Sequence, residues 1–224
     1  MTTNLLEHRY GENVIVFDSL HLNTLLTELS SKDTFQPQIN RIVRRLYSSL
    51  FSLILDRENG DKDDTIDTRM ATFTPKGTLQ TKVLDDQARW VIVDLARAGM
   101  IPSEVCFDEA NEVLDPTRSR IDHVFINRKV DENEQVVGTD VSGNKIGGDV
   151  EDALLLFPDP MGATGSSIAD AIGIYRDQVE GTPRKVICVH LIITPEYLRR
   201  ITTDFPDVAV YALRVDRGLS EEDV

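Results

Sequence analysis

The stretch FPDPMGATGSS, residues 157–167, follows four apolar residues in a row, Ala153 to Leu156, and precedes a segment from Ile168 onward that we expect to be helical. The pattern places an acid between two prolines, and then a loop of Gly, Thr and Ser, between a buried strand and a helix. In parallel sheets, ligands bind at the carboxyl ends of the strands, where such loops open before the next helix. The stretch therefore predicts a ligand-binding loop.

The loop has the composition of a phosphate cradle. Gly162 and Gly165 are expected to let the backbone approach a ligand closely. Thr164, Ser166 and Ser167 offer hydroxyl groups beside the free amides of a helix N-terminus. The loop lacks the Gly-Lys-Ser/Thr ending of a Walker A site and the G-x-G-x-x-G pattern of a dinucleotide fold. We therefore expect a phosphate site of neither of these two types.

Asp159 lies between Pro158 and Pro160 and needs a separate explanation. A carboxylate one loop away from a phosphate site is well placed to accept hydrogen bonds from the hydroxyl groups of a ribose. The residues thus favour a ribose 5-phosphate as the ligand. The alternative is that a Ser or Thr of the loop merely caps the next helix after an ordinary turn.

The charge of the chain restricts its partners. The formal net charge is −14 at pH 7, and a surface that repels phosphate gains nothing from counterion release on DNA or RNA. We therefore expect no nucleic-acid partner. Any phosphate must be held locally, by a helix N-terminus, by backbone amides or by a few placed Arg and Lys residues.

Length and composition indicate a single domain. The 224 residues are 41% hydrophobic and 28% charged, and we expect one domain over 1–224, with an N-terminal arm and helix over 1–58 and a core over 83–224. We expect no membrane span, because no run approaches ~18 apolar residues, and a cytoplasmic location, because the start lacks a secretory layout. Cys106 and Cys188 are expected to be buried free thiols.

Strand and helix patterns alternate along most of the chain, which predicts an α/β fold with a parallel sheet covered by helices on both faces. A polar stretch, 59–77, is expected to form a loop or a local hairpin, and 134–150 a glycine-punctuated hairpin or mobile arm. Strands are predicted at 13–17, 90–96, 121–126, 153–157, 185–193 and 208–215, and helices at 20–30, 38–57, 103–114, 166–180 and 195–203.

The helix predicted over 38–57 carries more apolar residues than one stripe requires. Leu53 and Leu55 fall off its main face, so part of the helix is expected to pack against another subunit in a homodimer. The alternative is that the helix is buried under the N-terminal arm of its own subunit.

The order of the motifs resembles a known family. An apolar strand, Asp-Pro-Met and Ala-Thr-Gly-Ser-Ser are similar to the phosphoribosyl pyrophosphate motif of type I phosphoribosyltransferases, in its uracil phosphoribosyltransferase form. LARAGM at 95–100 resembles the family's Leu-Arg-Ala-Gly segment, HVFINR at 123–128 the segment of its second arginine, and FPDVAVYALRVDRGL at 205–219 its late strand. The resemblance spans roughly residues 13–219 in order and implies that fold, with an N-terminal helical arm and a β-hairpin arm.

The resemblance also implies roles for residues. Asp159 would bind the ribose hydroxyl groups, and Arg97 and Arg128 would face the departing pyrophosphate, while Asp216 is a residue on the side of the base. No metal site made by the protein is implied; Mg²⁺ would be bound mainly by the oxygens of the substrate. The 5-phosphate would be held by the loop, with Met161, Gly162, Ala163, Thr164, Gly165, Ser166 and Ser167 as its substrate-binding residues.

The chain also departs from the family pattern. Lys129 stands where the family usually has Asp, and VSGNKIGG at 141–148 replaces an expected tyrosine pair. The family has a glycine- and proline-containing segment after the position of Val224 that presents its backbone to uracil, so base recognition is expected either to use residues beyond it or to be altered. Two functions stay open: transfer from phosphoribosyl pyrophosphate to a pyrimidine base, most simply uracil, and a catalytically silent relative that binds a nucleotide or phosphoribosyl pyrophosphate.

Overall fold

A computed structural model describes residues 4–130 and 136–218 of the chain. The elements follow the predicted alternation. The helices are α1 Leu20–Leu29, α2 Gln38–Glu58, α3 Met100–Val113, α4 Ser166–Gln178 and α5 Pro195–Asp204. The strands are β1 Asn4–Leu5, β2 Val14–Asp18, β3 Asp61–Asp67, β4 Thr78–Leu84, β5 Trp90–Ala96, β6 Ser119–Val130, β7 Val136–Lys145, β8 Leu154–Pro158, β9 Met161–Gly162, β10 Lys185–Ile193 and β11 Ala209–Val215.

The central sheet runs in the order β1-β2-β11-β10-β8-β5-β6-β7. Neighbours from β2 to β6 pair in parallel, whereas β1 and β7 add antiparallel edges. All five residues of β8 are buried, as expected for a strand whose two faces are both covered by helices. The predicted α/β architecture is confirmed.

The two faces of the sheet carry separate apolar clusters. Along β5, Trp90 and Ile92 point toward α1, α2 and α3, while Val91 and Val93 point toward α4 and α5, because side chains alternate along a strand. The Trp90 indole also donates a hydrogen bond to the side-chain oxygen of Asn59, at 2.9 Å. Each buried aliphatic side chain in these two clusters contributes about 1.5–3 kcal/mol to the stability of the fold. The two clusters therefore hold the strands in place, and with them the loops at the edges of the sheet.

The N-terminal helix α2 packs within its own subunit. Leu55 is buried, and Leu53 packs against the same apolar cluster as the main stripe. The two residues that led us to expect a subunit contact are thus accounted for inside one chain, as in the alternative of a helix covered by its own subunit. The homodimer stays a prediction, which sedimentation at micromolar concentration would test.

Some boundaries differ from the predicted ones. Helix α3 begins at Met100 rather than at residue 103, since Pro102 fits the first turn of a helix, where its missing N–H costs nothing. The polar stretch after α2 contributes to an antiparallel hairpin of β3 and β4, with Asp61 paired to Leu84.

Cys106 and Cys188 are buried free thiols, as predicted. Among the described helices, none has the length and apolar character needed to span a membrane.

Candidate active site

An open cleft of about 730 Å³ lies at the carboxyl ends of β5, β6 and β8. It brings together four of the predicted site residues, Arg97, Asp159, Met161 and Ser167. The remaining lining residues come from the neighbouring loops and the β6–β7 arm: Leu95, Ala96, Ala98, Phe125, Ile126, Asn127, Ser142 and Pro160.

The order of the strands explains why a cleft forms here. Strand β5 lies between β6 and β8 in the sheet, and α3 covers one face of the sheet whereas α4 covers the other. The loops after β5 and β8 therefore leave the sheet in opposite directions and open a crevice between them. Such a switch point is where open α/β sheets bind their ligands.

The loop after β5 presents Arg97 to solvent. Arg97 and Ala98 are exposed, the Ala96–Arg97 peptide bond is cis, and the Gly99 amide closes the turn on the Leu95 carbonyl at 2.9 Å. A Cβ at Gly99 would lie 3.0 Å from the Pro158 carbonyl oxygen. The absence of a side chain at that position thus lets the arginine loop lie against the end of β8.

The backbone of Asp159 is hydrogen-bonded to a buried histidine. The Asp159 amide donates to the Val189 carbonyl at 3.0 Å, and the Asp159 carbonyl lies 2.6 Å from His190 Nδ1. Because a carbonyl only accepts, His190 carries its proton on Nδ1, and its Nε2 accepts from the Tyr197 hydroxyl at 2.6 Å. Burial lowers the pKa of His190 to about 4, so the imidazole is neutral and its tautomer is fixed.

The predicted cradle is fastened to the end of β10. The Thr194 amide donates to the Gly162 carbonyl at 3.0 Å, and the Thr194 hydroxyl donates to the Ala163 carbonyl at 2.5 Å. A Cβ at Gly162 would lie 2.8 Å from the Tyr197 ring, whereas the expected approach of its backbone to a ligand stays a prediction. Gly162 is therefore required for packing against Tyr197, which sits on the protein side of the loop.

Helix α4 begins directly after the cradle. Its N-cap is Gly165, at φ 76°, and no side chain caps the helix, so the alternative of an ordinary Ser or Thr cap is wrong. Gly165 is buried and lies in the left-handed region of backbone conformation. Glycine is favoured at this position because it adopts that conformation without steric cost. The Thr164 and Ser166 hydroxyl oxygens lie 3.2 Å apart, and the Ser166 amide donates to the Thr164 hydroxyl oxygen at 3.4 Å.

Comparisons with known proteins show the family to which the chain belongs. The profile of the family described as Uracil phosphoribosyltransferase matches residues 16–224. The chain belongs to the uracil phosphoribosyltransferase family.

Individual members of the uracil phosphoribosyltransferase family resemble the chain at low identity. It is 28% identical to a uracil phosphoribosyltransferase of Acidovorax ebreus over 214 residues, which cover 93% of this chain and 90% of that protein. It is 32% identical over 90 residues to one of Campylobacter curvus, covering 40% of this chain. The aligned parts span 42%, 64% and 62% of the relatives from Campylobacter curvus, Caldanaerobacter subterraneus and Nicotiana tabacum.

Solved structures show the same fold. The AQ2163 protein of Aquifex aeolicus superposes with a TM-score of 0.72 at 19% identity, over 94% of this chain and 90% of that one. An adenine phosphoribosyltransferase of Trypanosoma brucei, in complex with AMP, pyrophosphate and ribose-5-phosphate, superposes with a TM-score of 0.58 at 11% identity, over 99% and 90%. The fold of this uracil phosphoribosyltransferase family member is that of the type I phosphoribosyltransferases.

Two site residues implied by the family resemblance are not among the described residues that line the cleft. Arg128 follows the cleft residue Asn127 by one position on β6 and pairs with Thr139 of β7, but its side chain is outside the described part. Asp216, at the end of β11, is not among the described residues that line the cleft. Its carboxylate accepts from Arg214 Nη2 at 3.2 Å and from the Arg217 amide at 2.9 Å.

Neither His190 nor Arg200 was predicted as a site residue, although both contact the loop. The Arg200 guanidinium donates to the Ser166 hydroxyl at 2.8 Å. Only the sheet order, which sets β10 beside β8, brings these two positions to the cradle, and nothing in their local sequence indicates it. Phe125, Asn127 and Ser142 were missed for the same reason, because the pairing of β6 with β7 places them at the cleft.

Proposed function

We propose that the protein is a phosphoribosyltransferase that transfers ribose 5-phosphate from phosphoribosyl pyrophosphate to a pyrimidine base, most simply uracil. The observation that carries the proposal is the meeting of Arg97, Asp159 and the cradle loop at one cleft. The family match supports the substrate class, and the names of the relatives favour uracil as the acceptor.

The chemistry suits a site of this composition. The bond between the anomeric carbon and the pyrophosphate oxygen breaks, a bond from that carbon to a ring nitrogen of the base forms, and the proton of that nitrogen is released. The anomeric carbon passes through an oxocarbenium-like state, so the site needs cationic groups at the leaving pyrophosphate and precise placement of the sugar. Arg97, exposed in its loop beside β8, supplies positive charge where pyrophosphate leaves.

Asp159 is the group proposed to orient the sugar. Its carboxylate accepts hydrogen bonds from the two ribose hydroxyl groups, and bonds to a charged acceptor are roughly twice as strong as neutral ones. The hydrogen bond from His190 to the Asp159 carbonyl fixes the backbone beneath that carboxylate. The anomeric carbon is thereby held between the leaving group and the incoming base.

The oxygen donors of this cleft suit Mg²⁺ that binds together with the substrate. Mg²⁺ prefers oxygen ligands and is commonly bound through substrate phosphates together with one or two carboxylates. The cleft offers the Asp159 carboxylate and the Ser167 hydroxyl as oxygen donors. When bound, the cation would neutralise negative charge that develops on pyrophosphate.

A second candidate is a silent relative that binds phosphoribosyl pyrophosphate or a nucleotide without transfer. The contacts of Asp216 favour it, since this carboxylate, which the resemblance implies on the base side, already accepts from Arg214 and from the Arg217 amide. A sugar–phosphate pocket could then persist without a base-reading partner.

Pyrophosphate release distinguishes the two. The protein is mixed with phosphoribosyl pyrophosphate and Mg²⁺, and pyrophosphate is measured with uracil, with each other nucleobase and without base. Release that requires uracil supports the proposed transfer, and release with another base changes only the acceptor. Calorimetric binding of phosphoribosyl pyrophosphate with no release would establish the silent relative, and no binding would reject both.

A further inference from the structure

Arg200, on α5, extends to the cradle from outside the motif. Its Nη1 donates to the Ser166 hydroxyl at 2.8 Å, and its Cδ lies 3.4 Å from the position a Cβ would take on Gly165. Because a guanidinium only donates, the Ser166 hydroxyl is left with its own proton for another acceptor. The contact places a permanent cation beside the first residue of α4.

The position of Arg200 is fixed by the elements beneath it. Thr194 is the N-cap of α5: its side chain accepts from the Tyr197 amide, while its hydroxyl donates to the Ala163 carbonyl. Tyr197 and Ile201 of the same helix are fully buried, and both come within 3.5 Å of the position a Cβ would take on Gly165. The start of α5 and the cradle therefore form one unit, from which Arg200 projects toward the loop.

The charge balance of the cradle calls for such a cation. A phosphate monoester carries a charge of about −1.5 to −2 near neutral pH, whereas a helix N-terminus supplies the equivalent of only about +0.5. The chain as a whole carries −14, so its overall field disfavours an anion. One guanidinium in contact with Ser166 supplies most of the missing positive charge.

We propose that Arg200 is a direct ligand of the 5-phosphate group and sets the preference of the site for a phosphorylated sugar. This inference rests on the proposed function, because it assigns the cradle to the 5-phosphate end of the substrate. On ligand binding the guanidinium donates to a phosphate oxygen, and the Ser166 hydroxyl donates to another. Asp204, whose carboxylate lies 3.6 Å from Arg200 Nε, competes with the phosphate for the same cation.

The test measures calorimetric affinities of Arg200→Ala, Arg200→Lys and Arg199→Ala for ribose 5-phosphate and for phosphoribosyl pyrophosphate with Mg²⁺. Arg199 is the matched control, since it is the exposed arginine next to Arg200 on the same helix. Arg200→Ala should weaken both ligands by roughly 10- to 100-fold, as expected for hydrogen bonds to a charged group. Arg200→Lys should recover part of the loss, because it restores the charge without the fork of donors.

Asp204→Asn gives a second measurement, because its effect on the affinity for ribose 5-phosphate is expected only if Arg200 contacts the phosphate and not if the arginine has a purely structural role. Removing the competing carboxylate should tighten ribose 5-phosphate binding, and the gain should vanish in the Arg200→Ala background. Far-UV circular dichroism checks that each variant is folded, which we expect because the Arg200 side chain is 40% exposed.

The outcomes separate this inference from the function on which it rests. If Arg200→Ala binds ribose 5-phosphate as tightly as Arg199→Ala does, while a bulky replacement of the exposed cradle residue, Thr164→Trp, abolishes binding, then Arg200 is no ligand although the cradle assignment stands. If the unaltered protein binds neither compound, both the inference and the proposed function are overturned.

Discussion

The two ends of the central sheet both carry arginines, but they use them differently. At the amino ends of β8 and β10, a smaller cleft of about 330 Å³ is lined by Arg176, Arg184 and Lys185, and each of these cations is paired with a carboxylate, of Asp207, Asp152 and Glu58 respectively. At the carboxyl ends, Arg97 makes no ion pair with another described residue. Its charge is available to an anionic ligand, whereas the charges at the amino ends are already compensated.

The largest expected effect is a loss of turnover when Arg97, at the carboxyl ends of the strands, is replaced. Arg97→Ala should lower turnover by on the order of 10²-fold or more, with a smaller loss of substrate affinity, because the lost charge acts mainly on developing pyrophosphate. Arg184→Ala, at the amino end, is the matched control and should leave turnover unchanged. Steady-state pyrophosphate release measures both variants. Equal losses of turnover in the two would contradict the distinction between the ends.

The second prediction concerns the buried support of the carboxyl end. His190 is neutral when folded, with its pKa lowered from 6.5 to about 4, so the unfolded chain binds the extra proton between these values. The contribution of neutral His190 to the free energy of unfolding is therefore fully present above pH 6.5 and is lost as the pH falls toward 4. The total loss from this residue is about 3 kcal/mol. Urea unfolding from pH 7 to 4.5 should show a shallower decline for His190→Gln than for the unaltered protein. His21→Gln, at an exposed position on α1, should keep the original decline; an unchanged slope in His190→Gln would reject the assignment.

The third prediction addresses the sugar. Asp159→Asn should weaken phosphoribosyl pyrophosphate and a nucleoside monophosphate alike, by roughly 10-fold, since an amide oxygen still accepts hydrogen bonds but without charge. Arg97→Ala should instead weaken mainly the ligand that carries pyrophosphate. Calorimetry with both ligands makes the comparison, and Asp207→Asn at the amino end serves as the control. A loss confined to one ligand in Asp159→Asn would place the carboxylate elsewhere than at the ribose.

The smallest effect is expected where charges are paired. Arg184 and Asp152 meet on an exposed surface, with side chains 43% and 69% accessible, and such pairs contribute little to stability. Asp152→Asn should leave the melting temperature and the affinity for ribose 5-phosphate essentially unchanged, which thermal unfolding and calorimetry would check. Weakened ligand binding in this variant would show that the amino end takes part in the site.

The sequence predicts the fold and the motif loop well, because both depend on local patterns. The runs of apolar residues in β8 and β10 could be assigned from composition, and the helix after Gly165 from its periodicity. Contacts between distant segments were not predictable in the same way. The close packing of Gly162 against Tyr197 from α5 is one such contact, which the local sequence does not indicate.

The same reason limits what sequence says about the site. Arg97 and Asp159 belong to recognisable motifs, so their meeting at one cleft was predictable from the resemblance. His190 and Arg200 lie in an ordinary strand and an ordinary helix, and they reach the loop because β10 lies between β8 and β11. Strand order is a property of the whole fold, and no local pattern encodes it.

The carboxyl-end cleft is proposed to hold phosphoribosyl pyrophosphate in one orientation. The decisive measurement is a crystal structure of the protein with a non-reactive analogue of that compound and Mg²⁺. We predict the 5-phosphate against the amides of 163–167 and Arg200, the ribose hydroxyl groups on Asp159, and the pyrophosphate at Arg97. An analogue bound with its phosphates reversed, or bound among Arg176, Arg184 and Lys185 at the amino ends, would contradict the account.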